Sequence, residues 1–361
     1  MKISGFPGFD AAVAGSDLLR ARVADLTAQV ASGQRAQTLA GLGGDAAIAL
    51  DLRNERARRE AFATTARRNE IFAEATQNAL SGIDSAVREV LDNASRLTAG
   101  GLPGNDTNIR AVADTARASL KAIVGLLGER LAGEALFGGA GPNQAPIVSA
   151  AAIEGTGVFT KIRSEVESLA AGNGSAVLAK TKEFAQSNAE DVSPFRGFAA
   201  EAARGQQTDS RRSVPVGDGI EIPIGMFAYK NSVAVSEGQT TGSWSRDLIW
   251  GLSVIANLQP PNEATREDYG ILVEGAVGAL RSASNALLED QASLGIAQSR
   301  LTKSAERNEN LVSQLETQIG KIETVDLAEA ISQLTSAKTQ LEASYRILVT
   351  LGDLSLTRFL R

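Results

Sequence analysis

The chain has 361 residues, enough for two or three domains and a sizeable buried core. Hydrophobic residues make up 43% and aromatics only 4%, a balance that suits close-packed Ala- and Leu-rich helices better than a β-sandwich. A net charge of -6 gives no electrostatic reason to seek phosphate backbones, and the absence of Cys and His excludes disulfides, thiolate chemistry, Ser-His-Asp and Cys-His catalysis and HExxH zinc sites.

The N-terminal stretch "MKISGFPGFDAAVAGSDLLR" has no apolar run of signal-peptide length, and no segment is apolar for long enough to span a membrane. From Ala11 the apolar residues fall at Leu19, Val23, Leu26 and Val30, the seam of a helix packed on other helices. Gly33 stands where a helix C-cap needs positive φ. "TLAGLGGD" (Thr38 to Asp45) predicts a loop, with Asp45 as N-cap of the next helix. It lacks a preceding strand and a Gly-Lys-Ser/Thr ending, so it reads as a connection between helices and not as a phosphate loop.

A second helix is predicted from Ala46 to about Thr98, roughly 80 Å long at the α-helical rise. Its "RNERARRE" run (Arg53 to Glu60) interleaves acids with bases and reads as a solvated helix face. Its late seam is Leu80, Ile83, Val87, Val90, Ala94 and Leu97. "AGGLPGND" (Ala99 to Asp106) breaks it, and a third helix carries Leu120, Val124, Leu127 and Leu131 before "ALFGGAGPNQAP" (Ala135 to Pro146).

From Ile147 to about Gln259 the helical period fades. "SVPVGDGIEIPIGMFAY" (Ser213 to Tyr229) predicts a hairpin, with Ile220, Ile222 and Ile224 alternating beside a "GDG" turn. Trp244 and Trp250 suggest a core at a domain boundary. Helix returns from about Tyr269 with Val273, Ala276, Leu280, Ala283, Leu287, Leu294, Ala297 and Leu301 in register, and Asp290 interrupts the seam. The seam resumes at Leu311, Leu315 and Ile322. Asp326 and Glu329 then predict a capping box before a last helix through Leu327, Ile331, Leu334, Leu341, Tyr345 and Leu348, running on to Leu356, Phe359 and Leu360.

The predicted fold class is mainly α: a long antiparallel helical bundle or coiled coil formed by the N- and C-terminal segments, with a smaller β-containing insert in the middle. Three domains are expected. Residues 1–42 with 320–361 form a terminal-helix assembly domain, 43–146 with 260–319 a helical rod, and 147–259 a mixed or β-rich outer domain. No catalytic, cofactor or metal site is expected. For Leu19, Val23, Leu26 and Val30, and for Leu327, Ile331, Leu334, Leu341, Tyr345, Leu348, Leu356, Phe359 and Leu360, contacts with other subunits are favoured over a purely internal core. Terminal apolar helices have little else to pack on.

Several stretches resemble a known family. "DLLRARVADLTAQVASGQR" (Asp17 to Arg35) and "GLGGDAAIALDLR" (Gly41 to Arg53) resemble the N-terminal region shared by bacterial flagellins and the hook–filament junction proteins. "IETVDLAEAISQLTSAKTQLEASYRILVTLGDLSLTRFL" (Ile322 to Leu360) resembles their C-terminal helix. "ALFGG" followed by "API" (Ala135 to Gly139, Ala145 to Ile147) resembles a stretch of the junction proteins, and the ending "LSLTRFLR" is similar to that of the third hook-associated protein. Arg361 is flagellin-like, and Ala135 stands where an aromatic or an Arg-Tyr pair is common.

The resemblance implies a non-enzymatic structural subunit of the bacterial flagellum, joining the hook-associated zone to the filament and assembling through its terminal helices. It implies copies of itself, the first hook-associated protein and flagellin as partners, a cytosolic export chaperone on the C-terminal helix, and the flagellar export apparatus. It implies an extracellular location reached without a cleaved signal peptide. No nucleic acid and no membrane insertion are expected. The alternatives are a filament flagellin and an intracellular coiled-coil scaffold. An enzyme seated in the middle segment is disfavoured by the lack of His and Cys.

Overall fold

The computed structural model describes residues 7–99, 102–208 and 210–359, with side chains placed for 10–98, 104–208 and 210–350. In chain order come α1 (Pro7–Ser32), α2 (Ala46–Asn93), β1 (Thr98–Ala99), β2 (Leu102–Pro103) and α3 (Asp106–Leu127). Next come β3 (Arg130–Leu131), β4 (Glu134–Ala135), α4 (Gly157–Glu167), α5 (Gly174–Gln186) and α6 (Gly197–Ala203). The last are β5 (Ser213–Gly217), β6 (Ile220–Pro223), α7 (Trp244–Ala256), α8 (Arg266–Glu323) and α9 (Leu327–Phe359). Each strand pairs antiparallel with its neighbour in sequence, giving three two-stranded ribbons. The fold is mainly α, with long helices packed together and small sheets between them. Spatially the chain divides into two units, residues 1–61 with 308–361, and residues 62–307, and the division falls within α2 and within α8.

In the first unit α1 lies along α9. Gly33 ends α1 at φ +70° and donates to the Gln29 carbonyl at 2.8 Å, a left-handed cap that only glycine adopts without cost. The chain then pairs with the α8–α9 connection. Gln34 bridges Thr324, Arg35 N donates to Glu323 O at 2.7 Å, and Val325 N donates to Gly33 O at 3.0 Å. The predicted loop Thr38 to Asp45 is a 3-10 turn over Leu39–Asp45, and its N-cap is Thr38, which accepts from Gly41 N. Asp45 does not cap α2 as expected. Its carboxylate is drawn instead to the Arg35 guanidinium, 2.9 Å away. At the start of α9, Asp326 Oδ1 accepts from Ala328 N (2.9 Å) and Glu329 N (3.2 Å). The reciprocal half of the capping box is replaced, because Glu329 accepts from Gln333 at 2.9 Å.

The second unit holds the large core. Leu80, Ile83, Val87, Val90 and Leu97 meet Leu272, Ala276, Leu280, Ala283 and Leu287, all fully or almost fully buried. Cross-links follow the same antiparallel register of α2 and α8. Thr302 donates to Glu70 at 2.6 Å, Gln77 to the Gln291 carbonyl at 2.9 Å, and Ser284 to Asp84 at 3.0 Å. The helix α7 runs through this core and is buried along its whole length. A Cβ at Gly251 would lie 2.9 Å from the Leu280 side chain, so glycine sets how closely α7 approaches α8. Residues 147–259 are mixed: α4 to α7 with the β5–β6 hairpin, which bulges between Pro215 and Gly217. Ile222 and Ile224 face inward as expected, whereas Ile220, beside the turn, is 52% exposed.

The polar interruption at Asp290 has a structural reason. Its buried carboxylate accepts from Ser232 N (2.8 Å), Val233 N (2.8 Å), Ala234 N (3.0 Å) and the Trp244 indole (3.0 Å). One side chain of α8 thus fixes the loop before α7 and the first residue of α7. Next to it, the buried Arg246 donates to the carbonyls of Tyr229 (3.1 Å) and Ala185 (3.0 Å) and to Asn188 (2.5 Å), with the guanidinium 4.8 Å from the Phe195 ring centroid. Burial pulls its pKa down to about 10. Asp247 accepts from Thr241 N at 2.6 Å, but its Oδ2 is buried without a partner, and burial raises its pKa to about 6.

These buried charges carry two testable consequences. Asp290→Ala takes the acceptor from two buried donors, Ala234 N and the Trp244 indole, and from the less buried Ser232 N and Val233 N, and is expected to destabilise the second unit by about 3 kcal/mol. Urea unfolding followed through Trp244 and Trp250, the two tryptophans of the chain, reads this directly. Asp247 has a folded pKa raised above its ordinary 3.8, so the folded state binds its proton more tightly than the unfolded state does. Its contribution is most favourable below that ordinary value and is lost as pH rises through about 6. Asp247→Asn should therefore gain stability over the parent near neutral pH, and the gain should shrink as pH falls toward 4 (roughly the free carboxylate value). Paired melting curves across that range test the sign.

Candidate assembly interface

The terminal helices pair by interleaving one stripe from each. On α1, Ser16 and Leu26 are buried and Leu19, Val23 and Val30 are half-buried, the four-three-four seam of the sequence. On α9, Ala330 and Ala337 are buried, and Leu334, Leu341, Tyr345 and Leu348 are half-buried. These spacings place them on one face of a helix. Arg20 marks the register. Its Nε donates to the Tyr345 hydroxyl, and its guanidinium carbon sits 5.2 Å from the ring centroid. The hydrogen bond to Tyr345 raises the Arg20 pKa further above its ordinary value.

A second set of apolar residues on the same two helices is left exposed among the described residues. Leu18 is 73% exposed, Leu327 49%, Ile331 51%, Ile347 56% and Val349 65%. The thirteen interaction residues expected from sequence therefore divide. Leu19, Val23, Leu26, Val30, Leu334, Leu341, Tyr345 and Leu348 line the α1–α9 seam, while Leu327 and Ile331 point away from it. Leu356 and Phe359 belong to α9, but their side chains lie outside the described residues, as does Leu360 altogether. Sequence reasoning missed Ala330, Ala337 and Ser16, because small residues carry little hydrophobic signal. The Ala330–Leu334–Ala337–Leu341 spacing is the pattern that would have separated the inner stripe from the outer one. Ile347 and Val349, in the apolar C-terminal stretch, are among the exposed residues.

Charge organises the rim of this unit. Arg53 reaches Glu323 at 2.7 Å, Arg56 reaches Glu316 at 3.8 Å, and Arg59 pairs with Glu55 one turn away. The Arg53 pKa is raised by its hydrogen bond to Glu323. So part of the basic run of α2 is spent on α8. Partly exposed pairs of this kind contribute little stability each, about 0–1 kcal/mol, and act mainly on register. Among the described residues no cluster of carboxylates is placed to hold a metal, and no helix is long and apolar enough to cross a membrane.

Residues 277–360 match the family model of the bacterial flagellin C-terminal helical region. That stretch covers most of α8 and the whole of α9. No curated protein sequence matches the chain. Among solved structures, a protein described as a flagellar hook-associated protein of Vibrio parahaemolyticus has a similar fold, with a TM-score of 0.52. The two share 10% identity over 77% of this chain and 97% of that one, so the likeness speaks for the fold.

The seam and the exposed residues of α9 predict different mutational behaviour. Leu341→Asp places a charge against α1 and should cost roughly 2–4 kcal/mol of terminal-helix packing. Ile331→Ser changes an exposed residue and should alter monomer stability by no more than about 0.5 kcal/mol. Helical circular dichroism during thermal melting, compared with tryptophan emission from the second unit, checks both.

Proposed function

We propose that this flagellin-like chain, a structural subunit of the bacterial flagellum, sits at the junction between hook and filament and assembles there through its terminal helices. The observation that carries the assembly reading is the uncovered apolar set on α1 and α9, within or beside the region that matches flagellins. Large aliphatic side chains left exposed beside a packed helix seam are suited to contact with another subunit. The junction placement rests on the "ALFGG...API" stretch and the "LSLTRFLR" ending.

On this reading the subunit needs no active site. Its work is adhesion and load transfer, and its partners are copies of itself, the first hook-associated protein below and flagellin above. Residues 1–42 with 320–361 serve as the assembly domain, and residues 147–259 face outward. The subunit leaves the cell through the flagellar export apparatus without a cleaved signal. Before that, a cytosolic chaperone covers the apolar C-terminal helix. A large apolar set left in water would otherwise drive premature association.

Immunogold labelling of intact flagella with an antibody to the second unit tests the placement. A single labelled spot between hook and filament is expected. Label along the whole filament would make the chain a flagellin, and label absent from flagella would overturn the reading. Ile331→Ser combined with Ile347→Ser should abolish incorporation while leaving the secreted monomer folded. Normal incorporation of that double variant would remove the outer stripe from the interface.

A further inference from the structure

The dipeptide Asn173–Gly174 occurs once in the chain. Asn-Gly is chemically labile in flexible peptides. The glycine nitrogen attacks the asparagine side-chain carbonyl carbon and forms a new C–N bond. The amide C–N bond breaks, and its nitrogen leaves as ammonia after taking up the proton lost by the attacking N–H. The cyclic succinimide then adds water at either carbonyl, giving aspartate or isoaspartate. Glycine favours the first step because it has no Cβ and leaves the backbone free to turn.

Here the glycine is imposed by packing. A Cβ at position 174 would lie 2.8 Å from the Cα of Asp268, in the first turn of α8, so no larger residue fits where α5 begins. The same aspartate restrains the reaction. Asp268 Oδ1 accepts from Gly174 N at 2.7 Å, and Oδ2 accepts from Gly172 N at 2.8 Å. The electrophile is held as well. Asn173 Oδ1 accepts from Ala170 N at 2.9 Å, and Nδ2 donates to Ser168 O at 3.1 Å. At ψ 1° for Asn173, the Gly174 nitrogen is turned away from the side-chain carbonyl carbon.

We propose that Asn173 is a deamidation site guarded by Asp268: the folded second unit protects it, and opening of this loop exposes it. The two backbone N–H groups hold the Asp268 pKa below its ordinary value, so the guard stays charged and accepting through the neutral range. Conversion sets a second carboxylate beside Asp268 and removes the donor to Ser168, which makes refolding of this corner less favourable. An acid at position 173 therefore records time that a molecule has spent open. The proposal does not depend on the assembly reading.

The test is to incubate the full chain in mildly alkaline buffer, folded or unfolded in urea, and to follow the tryptic peptide Ser164–Lys180 by mass spectrometry. Asn173 is the sole Asn or Gln in that peptide, so the amide-to-acid mass gain is unambiguous. The folded chain should convert more slowly than the unfolded chain by about tenfold or more. Folded Asp268→Ala should lose most of that difference, and Asp268→Asn, which keeps one acceptor oxygen, should lie between. Tryptophan emission verifies that each variant is folded. Equal rates for folded and unfolded parent would overturn the proposal, as would a folded Asp268→Ala or Asp268→Asn that converts no faster than the parent. If Asp268→Ala does not fold, the parent comparison and Asp268→Asn decide.

Discussion

Two helices lying side by side can cover one stripe on each partner and little more, and this limit governs the first unit. α9 carries an inner stripe of alternating Ala and Leu that fits α1 closely. It carries a further apolar set, from Leu327 and Ile331 to Ile347 and Val349, that α1 cannot reach. Water must hydrate that surface in an isolated molecule, at a cost of about 25 cal/mol per Å² relative to burial. A neighbour that covers it recovers that free energy, so the monomer has a standing drive to associate. On the proposed assembly reading, the residues that join subunits are also those left exposed in the isolated molecule.

The second unit solves the opposite problem. It has apolar partners on several sides of α7, and its difficulty is where to put polar groups. The solution recurs at Asp290, Arg246 and Asp268: a buried charge is surrounded by backbone N–H or C=O groups from a loop, and so ties that loop to a helix. Buried charges of this sort are favourable only when their hydrogen bonds are nearly all made. Asp247, with one oxygen unpartnered, is one place where that condition fails. The contrast between the units is chemical. Loop capture by buried charge fixes one structure, whereas the exposed aliphatic residues of α1 and α9 leave apolar surface in water.

The long helices were legible because their seams are. Leu80 to Leu97 and Val273 to Leu301 repeat at helical spacing with no Pro among them, and these residues form the core. Asp290 stood out as a break in that pattern, but nothing in its neighbours told which loop it would capture. The partner segment lies more than fifty residues upstream, and the bonds go to backbone atoms that carry no sequence signature. The middle segment was harder for a related reason. Its short helices α4, α5 and α6 are set by long-range packing, which overrides weak local propensity. At the candidate interface, the large residues of α1 and α9 were legible as apolar, yet their division between seam and outer face was not. That division depends on Ala330 and Ala337, whose burial is decided by α1 and not by their own hydrophobicity.

On the proposed reading, α9 gains the rest of its cover only on assembly. Amide hydrogen exchange of residues 327–350, compared between the purified monomer and intact flagella, tests it most directly. Rapid exchange along α9 in the monomer, strong protection after assembly, and little change in the protection of α7 are expected. If α9 in the monomer were already as protected as α7, its stripe would be satisfied within the chain, and the assembly account would be contradicted.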